Sequence, residues 1–305
     1  MGRDESPLTR FRRALAATRS GLRRYPRDLT QSITSPVRPA APVAGRRLDA
    51  IHEHDPFAAS WLGHASVLLR QGATNILLDP VFSRRIGLRV GPLVFGPHRL
   101  TEPITPDALP PIDLILISHA HFDHLDRPSL NALLNPRTNV IVPRGVRRLI
   151  PRGFRHIIEL DWGKSITLSG VEITAHVPEH WGARAAVDRQ RRYNAYAIRG
   201  DTHATFFSGD TASTDAFDHI KNIDLAVFGI GAYDPWEHKH ATPEQVWTMF
   251  SAMNAARLLP VHHSTFELSD EAIDEPLERL ITIAGDEHPR IVRADQGQLW
   301  TPQSP

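Results

Sequence analysis

The chain has 305 residues, 41% of them hydrophobic and 23% charged, which is enough apolar material for one large or two ordinary packed domains. It contains no cysteine, which excludes disulfides, zinc ribbons and thiol nucleophiles, so any metal must be held by His, Asp, Glu or backbone oxygen. The net charge of +1 conceals an uneven distribution: residues 1–50 carry 11 arginines against 4 acidic residues, and the remainder carries 24 basic and 30 acidic residues.

Residues 1–50 read as a basic arm that includes the Pro/Ala-rich stretch SPVRPAAPVAG at 35–45, the composition of a linker or wrapping segment. A basic arm suits a nucleic acid or an anionic membrane. Arginine outnumbers lysine 32 to 3 over the whole chain, however, so the arm's arginines partly reflect a general preference. No apolar stretch approaches the ~20 residues that span a bilayer. The N-terminus never develops the apolar centre of a secretory signal. The expectation is a soluble, cytoplasmic protein, with peripheral membrane contact through the arm left open.

A single domain is predicted over 51–305. ASVLLRQGATNILLDP reads as strand, Gly turn, strand, ending at Asp79-Pro80. DLILIS is a short continuous apolar run, as expected of a strand covered on both faces. The stretches NVIVP, SITLSGVEITAHVP, NAYAIRG, ATFFSGD and DLAVFGI read as further strands, with a hairpin at Ser169-Gly170. Two helices fall between them. DRPSLNALL opens with Asp126 as N-cap and Pro128 in its first turn. TPEQVWTMFSAM opens with a Thr242/Gln245 capping box and carries an apolar stripe of Val246, Trp247, Met249, Phe250 and Met253. Covered strands with amphipathic helices between them predict layers with the helices outside.

The stretch LILISHAHFDHLD, residues 114–126, places His119, His121, Asp123 and His124 directly after a buried strand. In an extended segment, residues two apart point the same way, so His119 and His121 can converge on one ion. Asp123 and His124 lie where the chain turns toward the next helix and can face a second ion. Imidazole nitrogen and carboxylate oxygen suit zinc. Four ligands cannot close two sites, so partners must come from elsewhere. Candidates stand at other strand ends: His180 in TAHVPEHW, Asp210 in ATFFSGDTAS, and His262 with His263 in ARLLPVHHSTF.

HAHFDH resembles the HxHxDH signature of the metallo-β-lactamase fold superfamily, and the likeness extends over about 57–265. WLGHASVLL, LLDPVFSRR, GPHRL, VPEHWGAR, FFSGDT and VHHSTF are similar to the branch containing N-acyl-phosphatidylethanolamine-hydrolysing phospholipase D. More loosely, they resemble ascorbate-6-phosphate lactonases. The resemblance implies an α/β, four-layer αββα sandwich with two Zn2+, other divalent transition metals fitting the same donors. His119, His121 and His180 would hold one ion, Asp123, His124 and His262 the other, and Asp210 would bridge them. His263 stands where the family has Trp, at the rim or packed beneath it. Asp79 would orient a ligand histidine. His64 would line the site. His240, in HKHATPEQ, would serve as proton donor or phosphate contact beside Asp123 and Asp210 as catalytic residues, and Arg84, Arg85 and Arg99 are candidate phosphate contacts.

The activity implied is hydrolysis of a small-molecule or phospholipid-like phosphodiester by a hydroxide bridging the ions. Lactone or ester hydrolysis is the alternative. Ribonuclease action is less favoured, because the basic charge sits on the arm and not on the body, and no nucleic acid partner is expected. The absence of cysteine disfavours antibiotic hydrolysis, and His121 stands where diiron relatives have Glu.

Overall fold

The computed structural model describes residues 56–91, 93–184 and 190–302, together with Arg19 and Leu48. Most of the expected arm therefore lies outside the described residues. Leu48 is buried in a core cluster of the body.

Two sheets carry the architecture. The first runs through β1 (Phe57–Gly63), β2 (Ser66–Gln71), β3 (Thr74–Leu78), β6 (Leu114–Leu116), β7 (Asn139–Pro143) and β8 (His156–Leu160), with β15 (Leu299–Trp300) beside β1. Its β1, β2 and β3 pair antiparallel, whereas β3, β6, β7 and β8 pair parallel. The second contains β9 (Ser165–Leu168), β10 (Val171–His176), β11 (Ala195–Arg199), β12 (Ala204–Phe207), β13 (Leu225–Gly229) and β14 (Arg257–Val261), in the order 14-13-12-11-10-9. It changes from antiparallel to parallel at β12. A separate two-stranded hairpin is formed by β4 (Leu88–Val90) and β5 (Leu93–Phe95).

The alternation of side chains along each strand sorts the core into layers. Val67, Leu69, Ile76, Leu78, Leu114 and Leu116 of the first sheet meet Ile173, Tyr196, Ile198, Phe207, Val227 and Leu259 of the second in one buried cluster. The opposite faces are covered by helices. Leu68, Leu77, Ile115 and Val140 pack with Leu130 of α1 (Arg127–Ala132). Phe206, Ala226, Phe228 and Leu258 pack with Val246, Met249, Phe250 and Met253 of α2 (Pro243–Met253) and with Leu280 of α3 (Glu275–Ala284). The layers thus run helix, sheet, sheet, helix. Each fully buried side chain of this kind contributes roughly 1.5–3 kcal/mol of apolar transfer.

Both predicted caps form. The Asp126 carboxylate accepts from Ser129 N at 3.2 Å, and Thr242 and Gln245 cap α2 reciprocally. No helix among the described residues is long and apolar enough to cross a membrane.

The parallel strands decide where chemistry can be placed. Registers Leu78↔Leu116 and Phe207↔Val227 bring the carboxyl ends of β3 with β6, and of β12 with β13, to common edges. Gly229↔Val261 does the same for β13 and β14. Ligands of open α/β sheets bind outside such strand ends.

Candidate metal centre

Every candidate ligand emerges after a strand: the 118–124 loop follows β6, His180 follows β10 by four residues, Asp210 follows β12 and His262 follows β14, while Asp79, the residue expected to orient a ligand, follows β3. The strand ends are sharply turned: Asp79 has φ 37° and His262 φ 62°. Left-handed backbone costs a non-glycine residue about 1–3 kcal/mol, and surrounding bonds must hold it. Those bonds are present. The buried Asp79 carboxylate takes Ser118 N at 2.7 Å, the Ser118 hydroxyl, and His124 Nδ1 at 2.6 Å. His262 N donates to the His64 carbonyl at 2.9 Å.

The side chains converge as two groups with a shared carboxylate. In the first, His119 Nε2 lies 2.8 Å from His121 Nδ1, which lies 3.3 Å from His180 Nε2. Asp210 Oδ2 stands 3.6 Å from His119 Nε2 and 3.8 Å from His180 Nε2. In the second, Asp123 Oδ2 stands 3.2 Å from His262 Nε2 and 3.6 Å from His124 Nε2. Asp210 closes this group too, with Oδ2 at 3.1 Å from His124 Nε2 and Oδ1 at 3.4 Å from His262 Nε2. A tetrahedral zinc with ligands at 2.0–2.1 Å needs donors about 3.3 Å apart. The donor spacing fits.

The fit has a second sign. His124 Nε2 and Asp210 Oδ2 are buried without a hydrogen-bond partner, although such atoms are costly to bury unpaired. A cation between them would satisfy both. The outer nitrogens are already engaged: His124 Nδ1 on Asp79, and His180 Nδ1 donating to the Lys239 carbonyl at 3.0 Å. This leaves Nε2 of each ring directed inward, as a ligand requires.

Electrostatics divide the groups. Burial lowers the His119 and His180 pKa well below the usual imidazole value, with neighbouring imidazoles adding to it. Burial pushes His121 the same way. For His124 and His262 burial is opposed by Asp210 and Asp123, which raise His124 well above the usual value and His262 to about 9. Burial likewise opposes ionisation of Asp123 and Asp210, yet His124 and its neighbours hold both carboxyls well below the usual range. Burial raises Asp79.

The family model described as the beta-lactamase superfamily domain matches residues 74–263, which hold all seven candidate ligands. The chain belongs to the beta-lactamase superfamily. Among its relatives in the superfamily, a Mycobacterium tuberculosis protein is 33% identical over 89% of this chain and 76% of its own length. A Caenorhabditis elegans protein named N-acyl-phosphatidylethanolamine-hydrolyzing phospholipase D 1 is 28% identical over 85% of this chain and 80% of its own. A Saccharomyces cerevisiae protein of the same activity name is 29% identical over 80% of this chain and 58% of its own. In fold, the chain is similar to a structure titled a possible metal-dependent hydrolase from Veillonella parvula, with TM-score 0.65 at 13% identity, covering 81% of this chain and all of that one.

Other residues read from the sequence divide within this superfamily fold. His240 faces the centre, its Nδ1 3.8 Å from Asp210 Oδ2, and burial lowers its pKa to about 4. His263 points away and packs beneath, stacked on Trp61 at 4.8 Å with Nδ1 2.9 Å from Ser264 Oγ. The three arginines read as candidate phosphate contacts have partners within the fold. The Arg99 guanidinium donates to the Val81 and Leu62 carbonyls at 2.8 and 3.0 Å, which ties β1 to the segment after β3. Arg84 pairs with Glu102 at 3.4 Å, and Arg85 turns to the Val94 carbonyl and His98.

The sequence reading missed the wall of the site. A groove of about 710 Å³ is lined by Ile86, Leu88, Phe95, Phe122, Trp181 and Leu268 and opens on His121 and Asp123. Trp181 is 47% exposed and meets His121 edge-on at 4.8 Å. The hairpin that supplies Leu88 and Phe95 closes tightly at its base. A Cβ on Gly87 would sit 2.0 Å from the Phe95 carbonyl oxygen. Only the Gly-flanked apolar stretch IGLRVGPLVFG hinted at it.

Proposed function

We propose that this chain is a binuclear zinc hydrolase of a phosphodiester with a hydrocarbon arm, in the manner of a phospholipid. The observation that carries the reading is the apolar groove opening directly on His121 and Asp123. A hydrocarbon placed there buries apolar area at about 25 cal/mol per Å², which neither a sugar lactone nor an RNA strand would use. The two relatives named for hydrolysis of N-acyl-phosphatidylethanolamine support the same substrate class.

His119, His121 and His180 would hold one ion and Asp123, His124 and His262 the other, with Asp210 shared. A zinc pair supplies, when bound, Lewis acidity toward a phosphoryl oxygen and a nucleophile of lowered pKa. The remaining work falls to side chains. His240, half-buried beside Asp210, is neutral in the free protein and can donate a hydrogen bond to a phosphoryl oxygen. An anionic phosphate favours its protonated form, from which the proton can pass to the leaving oxygen. Phe122 and Trp181 keep water from the hydrocarbon and orient it. The catalytic unit would span 51–305, with the basic arm of 1–50 contacting an anionic membrane surface in a cytoplasmic setting.

Turnover of long-chain phosphodiesters, short-chain phosphodiesters, lactones and RNA tests the reading. Long-chain phosphodiesters should be turned over with the lowest KM. Trp181→Ala should raise that KM about tenfold, as loss of ~1.4 kcal/mol of apolar burial requires, and leave the short-chain KM nearly unchanged. Lactone turnover without phosphodiester turnover would sink it.

A further inference from the structure

His64 stands between β1 and β2, before the stretch 74–263 matched by the family model. It nevertheless reaches the centre. Its backbone is left-handed (φ 52°) and is held from three sides. His64 N donates to Thr265 Oγ1 at 2.7 Å, and its carbonyl accepts from the Trp61 indole at 2.7 Å and from His262 N at 2.9 Å. The ring is buried, and its Nε2 lies 3.0 Å from Asp123 Oδ2. The other ring nitrogen, Nδ1, is buried without a hydrogen-bond partner. The side chain's polar engagement is therefore with Asp123.

We propose that His64 is a positioning residue for the second half of the centre: its Nε2–H donates to Asp123 Oδ2 and fixes that carboxylate toward the ion, while its carbonyl fixes His262. The inference rests on the ligand assignment proposed above. Geometry separates positioning from ligation. Asp123 and Asp210 each stand 3.1–3.6 Å from both His124 and His262, which supplies four donors without His64. Among the described residues, His64 also brings a ring nitrogen within 4.8 Å of ligand atoms of Asp123, His124 and His262, but its Nε2 is already in hydrogen-bond contact with Asp123 Oδ2 at 3.0 Å. A ring nitrogen that donates its proton to Asp123 has no lone pair to offer an ion. One residue thus sets two ligands of the same ion and none of the other.

The test uses the full chain, with zinc titrated against a chromophoric chelator and zinc content measured per chain. His64→Ala should weaken the second zinc about 10–100-fold, the usual effect of removing a partner that orients a ligand, and leave the first zinc unchanged. His64→Gln restores an N–H donor and should recover most of the loss, since glutamine is a poor zinc ligand but a competent donor. Equal and complete loss of the second zinc in both variants would make His64 a ligand and overturn the proposal. Unchanged zinc affinity in a folded His64→Ala chain would overturn it as well. If His64→Ala does not fold, the comparison of His64→Gln with wild type decides: near-wild-type affinity supports positioning, and loss of the second zinc refutes it. A wild-type chain binding fewer than two zinc ions would instead refute the underlying ligand assignment, and the proposal with it.

Discussion

Around His121, three imidazoles face one shared carboxylate. Around His124 and His262, Asp123 joins the shared Asp210, so two carboxylates face these two rings. Both groups are largely buried, so desolvation acts on them alike, yet His119 and His180 are driven neutral while His124 and His262 are driven toward the charged form. The ratio of carboxylates to imidazoles, and not burial, separates the halves. In the ion-free protein the second half balances its carboxylates with protons; a cation would take their place.

The strongest challenge to that division is Asp210→Ala, which removes the one group common to both halves. Zinc content should fall from two per chain to less than one. Turnover should drop more than ~100-fold, beyond what loss of a merely orienting partner costs. Retention of two ions, by elemental analysis, would show that the halves do not share Asp210.

His262→Ala should remove only the carboxylate-rich half's ion and nearly all turnover. His263→Ala should keep both ions and cost about 1 kcal/mol of stability through the lost stack on Trp61. If metal content instead follows His263, the two residues have exchanged roles.

A subtler difference lies in proton release. His262 is raised to about 9 and His124 is raised well above its usual value, so both carry protons at neutral pH that an ion must expel. Affinity of the second half should therefore rise with pH through the neutral range, by up to ~10-fold per unit for each proton released. The first half, with His119, His121 and His180 already neutral, should show little change there. Calorimetric zinc titration in two buffers of different ionisation enthalpy reads the protons for each step. Equal release at both steps would erase the distinction.

The smallest effect should come from Thr242→Ala at the α2 cap. Losing the Thr242 bond to Gln245 should cost about 1 kcal/mol and lower Tm by about 2–4 °C, with both zinc steps unaltered. A changed zinc step would mean that α2 is coupled to the centre.

Much of this was readable from residue order alone. The HAHFDH stretch follows a strand whose apolar run has no polar face, and a run of that kind ends where a parallel sheet exposes its strand tips. Asp210 and His262 were legible for the same reason, whereas His180 follows β10, an antiparallel strand with alternating burial, and was legible only as a histidine just past a strand. β2, β3 and the helices at 127–132 and 243–253 were announced by a Gly turn and by caps. The hairpin β4–β5 was not, because Leu88, Val90 and Leu93 are exposed and leave no alternation of burial to detect. The helix at 275–284 was likewise overlooked, its Asp274 making no side-chain capping bond. Arg99 could not be read either. An arginine near the site suggests an anion, and only the fold reveals that two backbone carbonyls already engage its guanidinium.

Two of the six tryptophans stand beside the centre, and their surroundings differ. Trp181 is 47% exposed against the His121 ring, whereas Trp61 is 7% exposed and lies behind the other half on His263. An indole in water emits at longer wavelength than one in an apolar interior, so Trp181 contributes to the red edge of an emission shared with five other tryptophans. An open-shell ion such as Co2+ seated at His121 would dim the red edge of the emission, through Trp181.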